Sequence, residues 1–218
     1  MPLFSLILAT HGRVDEIGRL LDSLQAQTCA DFELIVVDQN PDDRVRPLVE
    51  GATRTGLKVS HLRQARPNLS AARNAGLEAA QGRWIALPDD DCWYEPQLLE
   101  ELRRRLDAAP PVDGLVAEWV EQVHKVPPEQ DSPLTLWRWL RFKGSDASSI
   151  ALFLRADLAR EVGGFDARLG VGQWYGSGEE TDFVMRLLRH GARIERCLQA
   201  RVHHAFRTHY AVDGATEY

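Results

Sequence analysis

The chain has 218 residues, of which 44% are hydrophobic and 27% charged, and its net charge is −6. That length accommodates one α/β domain with a sizeable core, and the acidic balance removes a general nucleic-acid binder, which needs a basic face. The three cysteines, Cys29, Cys92 and Cys197, form no Cys-x-x-Cys pair, which excludes a disulfide framework or a structural zinc site as the organising feature.

Leu3–Ala9 is an apolar run stopped by the turn Thr10-His11-Gly12, and reads as a buried strand. The run is too short to span a bilayer and has neither a basic leader nor a cleavage site, so a cytoplasmic protein is expected. Val14, Ile17, Leu20, Leu21 and Leu24 follow at helical spacing. Glu33–Asp38 reads as a second buried strand, Val45–Gly51 as a short helix and Leu57–Leu62 as a third strand. Leu69–Ala80 is Ala-rich and helical. Trp84–Leu87 is a fourth strand, halted by Pro88-Asp89-Asp90-Asp91, and Pro96 opens a helix through Leu106. Alternating strands and helices predict an α/β fold with a mostly parallel sheet covered on both faces. Ligands of such sheets bind beyond the carboxyl ends of the strands. The polar clusters Thr10–Arg13, Asp38–Asp43 and Asp89–Asp91 are therefore expected on one rim.

The second half is less regular. Gly114–Val123 reads as a strand, Pro127–Pro133 as a loop and Ser149–Leu154 as a strand. Asp157–Val162 and Glu180–His190 read as helices, and Arg201–His204 as a final strand. Trp137, Trp139, Leu140 and Phe142, interleaved with Arg138, Arg141 and Lys143, have two readings: a helix packed on the core, or a face resting peripherally on a bilayer beside a lipid-linked acceptor. No repeat or linker divides the chain, so residues 1–218 are expected to form a single domain.

Several constellations carry chemistry. Asp89-Asp90-Asp91 would repel one another unless a cation or basic side chains neutralise them, and hard divalent ions take carboxylate oxygens. A solvated acidic loop ahead of the Pro96 helix is the other reading. Asp38, with Asp42 and Asp43 close behind, accepts hydrogen bonds from a base or ribose, or forms a turn. Arg73 pairs with a phosphate or with an acidic residue of the rim. Glu179 and Glu180 open a helix after Gly176-Ser177-Gly178, which suits a general base, while Ser177-x-x-Glu180 is also a capping-box pattern. His203-His204 supplies imidazole for the acidic site or is plain structure.

Together these segments resemble bacterial family-2 glycosyltransferases of the GT-A fold, from Leu3 to about His204. Leu6–Arg13 resembles the family's first strand with its Thr-x-x-Arg turn, and Leu34–Asp38 its second strand. Ala71–Gly76 matches Ala-Arg-Asn-x-Gly, and Gly82–Asp91 matches Gly-x-x-Ile-x-x-x-Asp-x-Asp. Val162–Asp166 matches the Gly-Gly-Phe-Asp turn, and Gly178–Arg186 resembles Gly-Glu-Asp-x-Asp-Leu-x-x-Arg, with Glu180 in place of the usual Asp. The resemblance implies a nucleotide-binding half over about residues 1–110 and an acceptor-binding half over about 111–218. It implies nucleotide contacts from Thr10, Arg13, Asp38, Arg73, Asp89 and Asp90, and a divalent metal, Mn2+ or Mg2+, held by Asp91 with Asp89 and His204. It also implies Glu180 as the catalytic base, with Glu179 as the alternative, and Gly164, Phe165, Asp166 and Asp182 on the acceptor side. The implied activity is inverting transfer of a sugar from a nucleotide sugar to a saccharide or lipid-linked saccharide, in polysaccharide or glycoconjugate synthesis. The rivals are a non-catalytic nucleotide-sugar module and another nucleotide-dependent transferase.

Overall fold

A computed structural model describes residues 1–108, 111–122, 133–142 and 148–204. The described strands form one eight-stranded sheet in the order β3-β2-β1-β4-β7-β6-β8-β5. Its first half follows from three apolar runs. β1 (Phe4–Thr10) and β2 (Phe32–Asp38) are almost wholly buried, as strands covered on both faces must be. β1 lies between β2 and β4 (Trp84–Ala86), β3 (Val59–Arg63) flanks β2, and all these pairings are parallel.

The helices between them obey the same burial logic. α1 (Asp15–Gln25) buries Ile17, Leu20, Leu21 and Leu24 on one stripe and carries Asp15 and Glu16 in its first turn, where the helix dipole favours negative charge. α2 (Arg46–Arg54) buries Val49 and Ala52. α3 (Leu69–Ala79) starts at Asn68, whose side chain accepts from the Ala71 backbone N–H at 2.8 Å, a standard way to satisfy an orphan donor. α4 (Leu98–Asp107) begins just after Pro96.

The second half departs from a parallel pattern. β7 (Leu152–Arg155) runs antiparallel to β4, and β6 (Gly114–Trp119) antiparallel to β7. Two reversals restore the original direction, so β6 points the way β4 does. β8 (Ile194–His204) is parallel to β6 and therefore ends on the rim where β1, β2 and β4 end. The short β5 (Cys92–Tyr94) closes the sheet antiparallel to β8, pairing Cys92 with His204. Among the described residues the remaining α-helices are α5 (Leu136–Phe142), α6 (Ala156–Glu161) and α7 (Glu179–Arg189). The buried apolar side chains of both halves form one continuous cluster. Among the described residues no helix is long and apolar enough to cross a membrane.

Four expectations about elements change. β8 begins at Ile194, not at Arg201, because Glu195 is buried as an ion pair with Arg105 and Arg193 and so escapes the apolar pattern. Ser149–Ala151 is a 3-10 turn, and only Leu152 onward is strand. β6 stops at Trp119; Val123 and residues 127–132 of the expected loop lie outside the described residues. β5 is absent from the expected elements, since three residues carry no periodicity.

Gly82, before β4, sits against the β1 backbone and donates its N–H to Ser5 Oγ at 2.8 Å. A Cβ there would lie 2.6 Å from Ser5 N and 2.7 Å from Phe4 C, and backbone cannot step aside as a side-chain tip can. Gly82→Ala is expected to destabilise the protein by about 1–3 kcal/mol in urea unfolding. Gly18→Ala, on α1 with nothing within 4 Å of the new methyl, is expected to stabilise it by up to about 1 kcal/mol.

Candidate active site

The parallel ends of β1, β2, β4 and β8 place the acidic turn after β4 at the centre of the rim. Asp90, 7% exposed, turns inward. It accepts from Thr10 Oγ1 at 2.8 Å and from Arg13 Nη1 at 2.5 Å. Arg13 also reaches Asp91 Oδ2 at 2.6 Å. Asp91 directly precedes Cys92, the register partner of His204, and this pairing brings His204 Nε2 to 2.9 Å from Asp91 Oδ1. Asp89 faces the other side, where Arg73 Nη2 lies 3.3 Å from its Oδ1.

Neighbouring carboxylates here titrate in opposite directions. Burial pushes Asp90 up, against the opposing pull of Arg13 and Thr10. Asp91 is also raised by burial, but its hydrogen bond from His204 and the charges of His204 and Arg13 win, and it sits below its ordinary value. His204 is raised by the Asp91 hydrogen bond, against the effect of burial. Asp90 is thus an anchor for Thr10 and Arg13, whereas Asp91 stays ionised and partly open. One ligand atom each from Asp89, Asp91 and His204 lie within 4.8 Å of one another, two hard oxygens and an imidazole nitrogen suited to one divalent cation.

Arg73, on α3, is 3% exposed and links the acidic turn to α7. Its guanidinium also lies 3.5 Å from Glu179 Oε1 and donates to Ser149 Oγ at 3.1 Å. Glu180 follows Glu179 in the first turn of α7, and its Oε1 is buried with no hydrogen-bond partner. Burial raises its carboxyl to about 7, with Asp89 and Glu179 adding to the rise and Arg73 and the Ser149 backbone N–H opposing it. The capping-box reading of Ser177 and Glu180 is corrected. Gly178 is the N-cap, and no side chain caps the helix, so the Glu180 carboxyl is left for the rim.

Asp38 ends β2 as expected but is fully enclosed. Oδ1 accepts from the Asn40 backbone N–H and Nδ2, and Oδ2 faces His61 Nε2 at 3.1 Å and Arg63 Nη1 at 3.2 Å. With four partners in place, it meets a nucleoside only by exchanging one of them.

The expected acceptor-side residues gather in a second group. Asn74, beside Arg73, accepts from the Phe165 N–H at 2.7 Å and donates to its carbonyl at 2.8 Å, which fixes the Gly164-Phe165 turn. Phe165 is buried against Phe183 with ring centroids 4.2 Å apart. Asp182 holds Arg186, which donates to the carbonyls of Val162 and Gly164, and Asp166 pairs with Arg168. Phe165, Asp166 and Asp182 line an open depression of about 570 Å³. On α5, Trp139 is 1% exposed and donates its indole N–H to the Thr181 carbonyl at 3.3 Å. It belongs to the core and not to the bilayer face considered above, whereas Trp137 and Leu140 are exposed. Lys143 lies outside the described residues. The sequence does not mark Ser149, Asn74, His61 and Arg63 for these contacts, because each gains its role only from a partner remote in sequence.

The glycosyl transferase family 2 model matches residues 5–162. The chain is similar to ExoO of Rhizobium meliloti, a succinoglycan biosynthesis protein, with 34% identity over 109 residues, 50% of this chain and 31% of ExoO. It therefore spans about a third of that relative's length. S. aureus TarS 1-349 in complex with UDP-GlcNAc superposes with a TM-score of 0.75 at 24% identity, covering 99% of this chain and 61% of that one. The mannosyltransferase PcManGT of Pyrobaculum calidifontis, in complex with GDP-Man and Mn2+, gives 0.72 at 16% identity, covering 96% and 58%. The fold is of the GT-A kind, and the match over residues 5–162 shows that the chain belongs to glycosyl transferase family 2.

Proposed function

We propose that the chain is a glycosyltransferase that moves a sugar from a nucleoside diphosphate sugar to an acceptor hydroxyl with inversion. The observation that carries this is Glu180: a buried, partnerless carboxylate oxygen, raised to about 7, beside a group of Asp89, Asp91 and His204. A general base works best when its pKa lies near the working pH. UDP- and GDP-sugars are the donor classes, a reading supported by the ligands named for TarS and PcManGT.

Asp89, Asp91 and His204 would hold a divalent cation, which when bound supplies positive charge beside the departing diphosphate. Arg13 adds charge from the first turn, tethered by Asp90. Arg73 keeps Asp89 and Glu179 from repelling each other and so sets the spacing between the acidic turn and α7. Glu180 takes the proton of the acceptor hydroxyl as that oxygen bonds to the anomeric carbon. The bond from that carbon to the diphosphate oxygen breaks in the same displacement, and the nucleoside diphosphate leaves. Asp38 orders Arg63 and Asn40 beside the nucleoside position. Glu179 is a positioning residue, because its carboxylate faces the Arg73 guanidinium at 3.5 Å and packs against the Gly170 turn.

In calorimetry with UDP-GlcNAc and GDP-mannose, Mn2+ is expected to strengthen binding of one donor, and Asp91→Asn to weaken it more than about tenfold. Binding that ignores Mn2+ and Asp91→Asn would remove the metal role. The Mn2+ affinity should fall as pH drops through the raised His204 value, since a protonated imidazole cannot ligate.

Glu180→Gln is expected to lower kcat by about 100- to 10,000-fold. The wild-type rate should rise with pH through a midpoint near 7. A wild-type rate flat from pH 5 to 8 would exclude Glu180 as base.

The same group affects stability. The folded protein keeps the Glu180 proton up to about pH 7, whereas the unfolded chain releases it near 4.5. Ionising it therefore costs stability: nothing below about pH 4.5 and the full amount above about pH 7. Without metal or donor, Glu180→Gln should thus be more stable than wild type at pH 8, by up to about 3 kcal/mol, and similar at pH 4.5. Equal stability at both pH values would contradict the raised pKa.

A further inference from the structure

The loop that leads into α7 displays two consecutive exposed aromatic side chains, Trp174 at 93% and Tyr175 at 63%. Single exposed apolar residues are ordinary, but a nearly naked indole next to a tyrosine, close to a catalytic helix start, is a surface that gains by being covered.

The loop is built to hold them. The Gly170 N–H donates to the Tyr175 carbonyl at 2.8 Å, and the Gln173 N–H to the Gly170 carbonyl at 3.1 Å. Gly170 and Gly172 adopt φ of 93° and 88°, which side chains rarely tolerate. The Leu69 N–H donates to the Val171 carbonyl at 3.2 Å, and Ser70 Oγ to the Leu169 carbonyl at 2.8 Å. These anchors lie in the first turn of α3, which follows the carboxyl end of β3 and so sits on the ligand rim. The neck also packs on Glu179: a Cβ at Gly170 would lie 3.1 Å from Glu179 Oε2. The neck thus touches the residue before the base, and the tip presents the rings.

We propose that Trp174 and Tyr175 form the acceptor platform, binding the C–H face of a pyranose ring whose hydroxyl is offered to Glu180; this rests on the transferase reading above. A pyranose has an apolar face edged by hydroxyls, and a rigid aromatic side chain covers such a face at little entropic cost. The two ion pairs beside the loop, Asp166 with Arg168 and Asp182 with Arg186, are each internally balanced and bring no net charge to it. A neutral saccharide fits that balance.

The test is saturation-transfer NMR with methyl β-D-glucopyranoside and methyl N-acetyl-β-D-glucosaminide, with open-chain sorbitol as control. UDP or GDP is present with Mn2+, and nucleotide affinity is measured separately by calorimetry. Wild type and Trp174→Phe should transfer saturation to protons on one face of a pyranoside. Trp174→Ala and Tyr175→Ala should transfer about tenfold less at unchanged nucleotide affinity and melting temperature. Equal transfer in wild type and Trp174→Ala overturns the platform, as does equal transfer to sorbitol. Sedimentation of wild type with phosphatidylglycerol vesicles, lost in Trp174→Ala and unaccompanied by pyranoside transfer, replaces the saccharide with a lipid surface. Pyranoside transfer without binding of either nucleotide supports the platform and sinks the donor reading. Nucleotide binding without pyranoside transfer does the reverse.

Discussion

The buried guanidinium of Arg73 is the contact on which the rim depends. It lies between Asp89 and Glu179 and donates to Ser149, so it joins α3, the turn after β4, the 3-10 turn before β7 and the start of α7. A charge 3% exposed is costly unless paired, and carboxylates gathered on a rim repel unless a cation stands among them. Arg73 answers both needs at once. Its contacts with Asp89 and Glu179, 3.3 and 3.5 Å, are long for ion pairs, so it balances two carboxylates without capturing either. Removing it would leave buried charge uncompensated, a larger loss than the pairs themselves are worth.

Sheet direction supplies the other half of the site. Asp91 and His204 are more than a hundred residues apart, yet two antiparallel steps followed by a parallel one bring the end of β8 back to the rim of β1, β2 and β4. The short β5 then fixes the register. Because Cys92 pairs with His204, Asp91 has the imidazole within hydrogen-bond reach. Cys92 itself is fully buried beneath the acidic turn and contributes packing.

Much of this was legible in the sequence where the signal is local. Apolar runs stopped by Thr10, Asp38 and Asp89 marked parallel strands whose ends share a rim, and the first four helices appeared nearly where their apolar spacing put them. What stayed hidden was long-range. Glu195 and Arg196 look like surface residues in sequence, yet both are buried in β8, and Glu195 finds its partner on α4. Asn74 lies within the Ala71–Gly76 motif, but its work is to hold the backbone of Phe165, some ninety residues away. Asp38 was legible as a strand-end carboxylate, while its enclosure by His61, Arg63 and Asn40 depends on β3 lying alongside β2. The Ser177 capping pattern misled because Gly178 takes the cap position, which leaves Glu180 to the rim.

The most direct test of the account is the titration of one proton. Carbon-13 NMR of glutamate-labelled protein, with the Glu180 carboxyl assigned by its loss in Glu180→Gln, reads that group alone. The account predicts a midpoint near 7 in the metal-free protein, where burial and the neighbouring Asp89 and Glu179 raise the carboxyl. A midpoint near the ordinary 4.5 would mean a solvated carboxylate, and the base would have to be sought elsewhere on the rim.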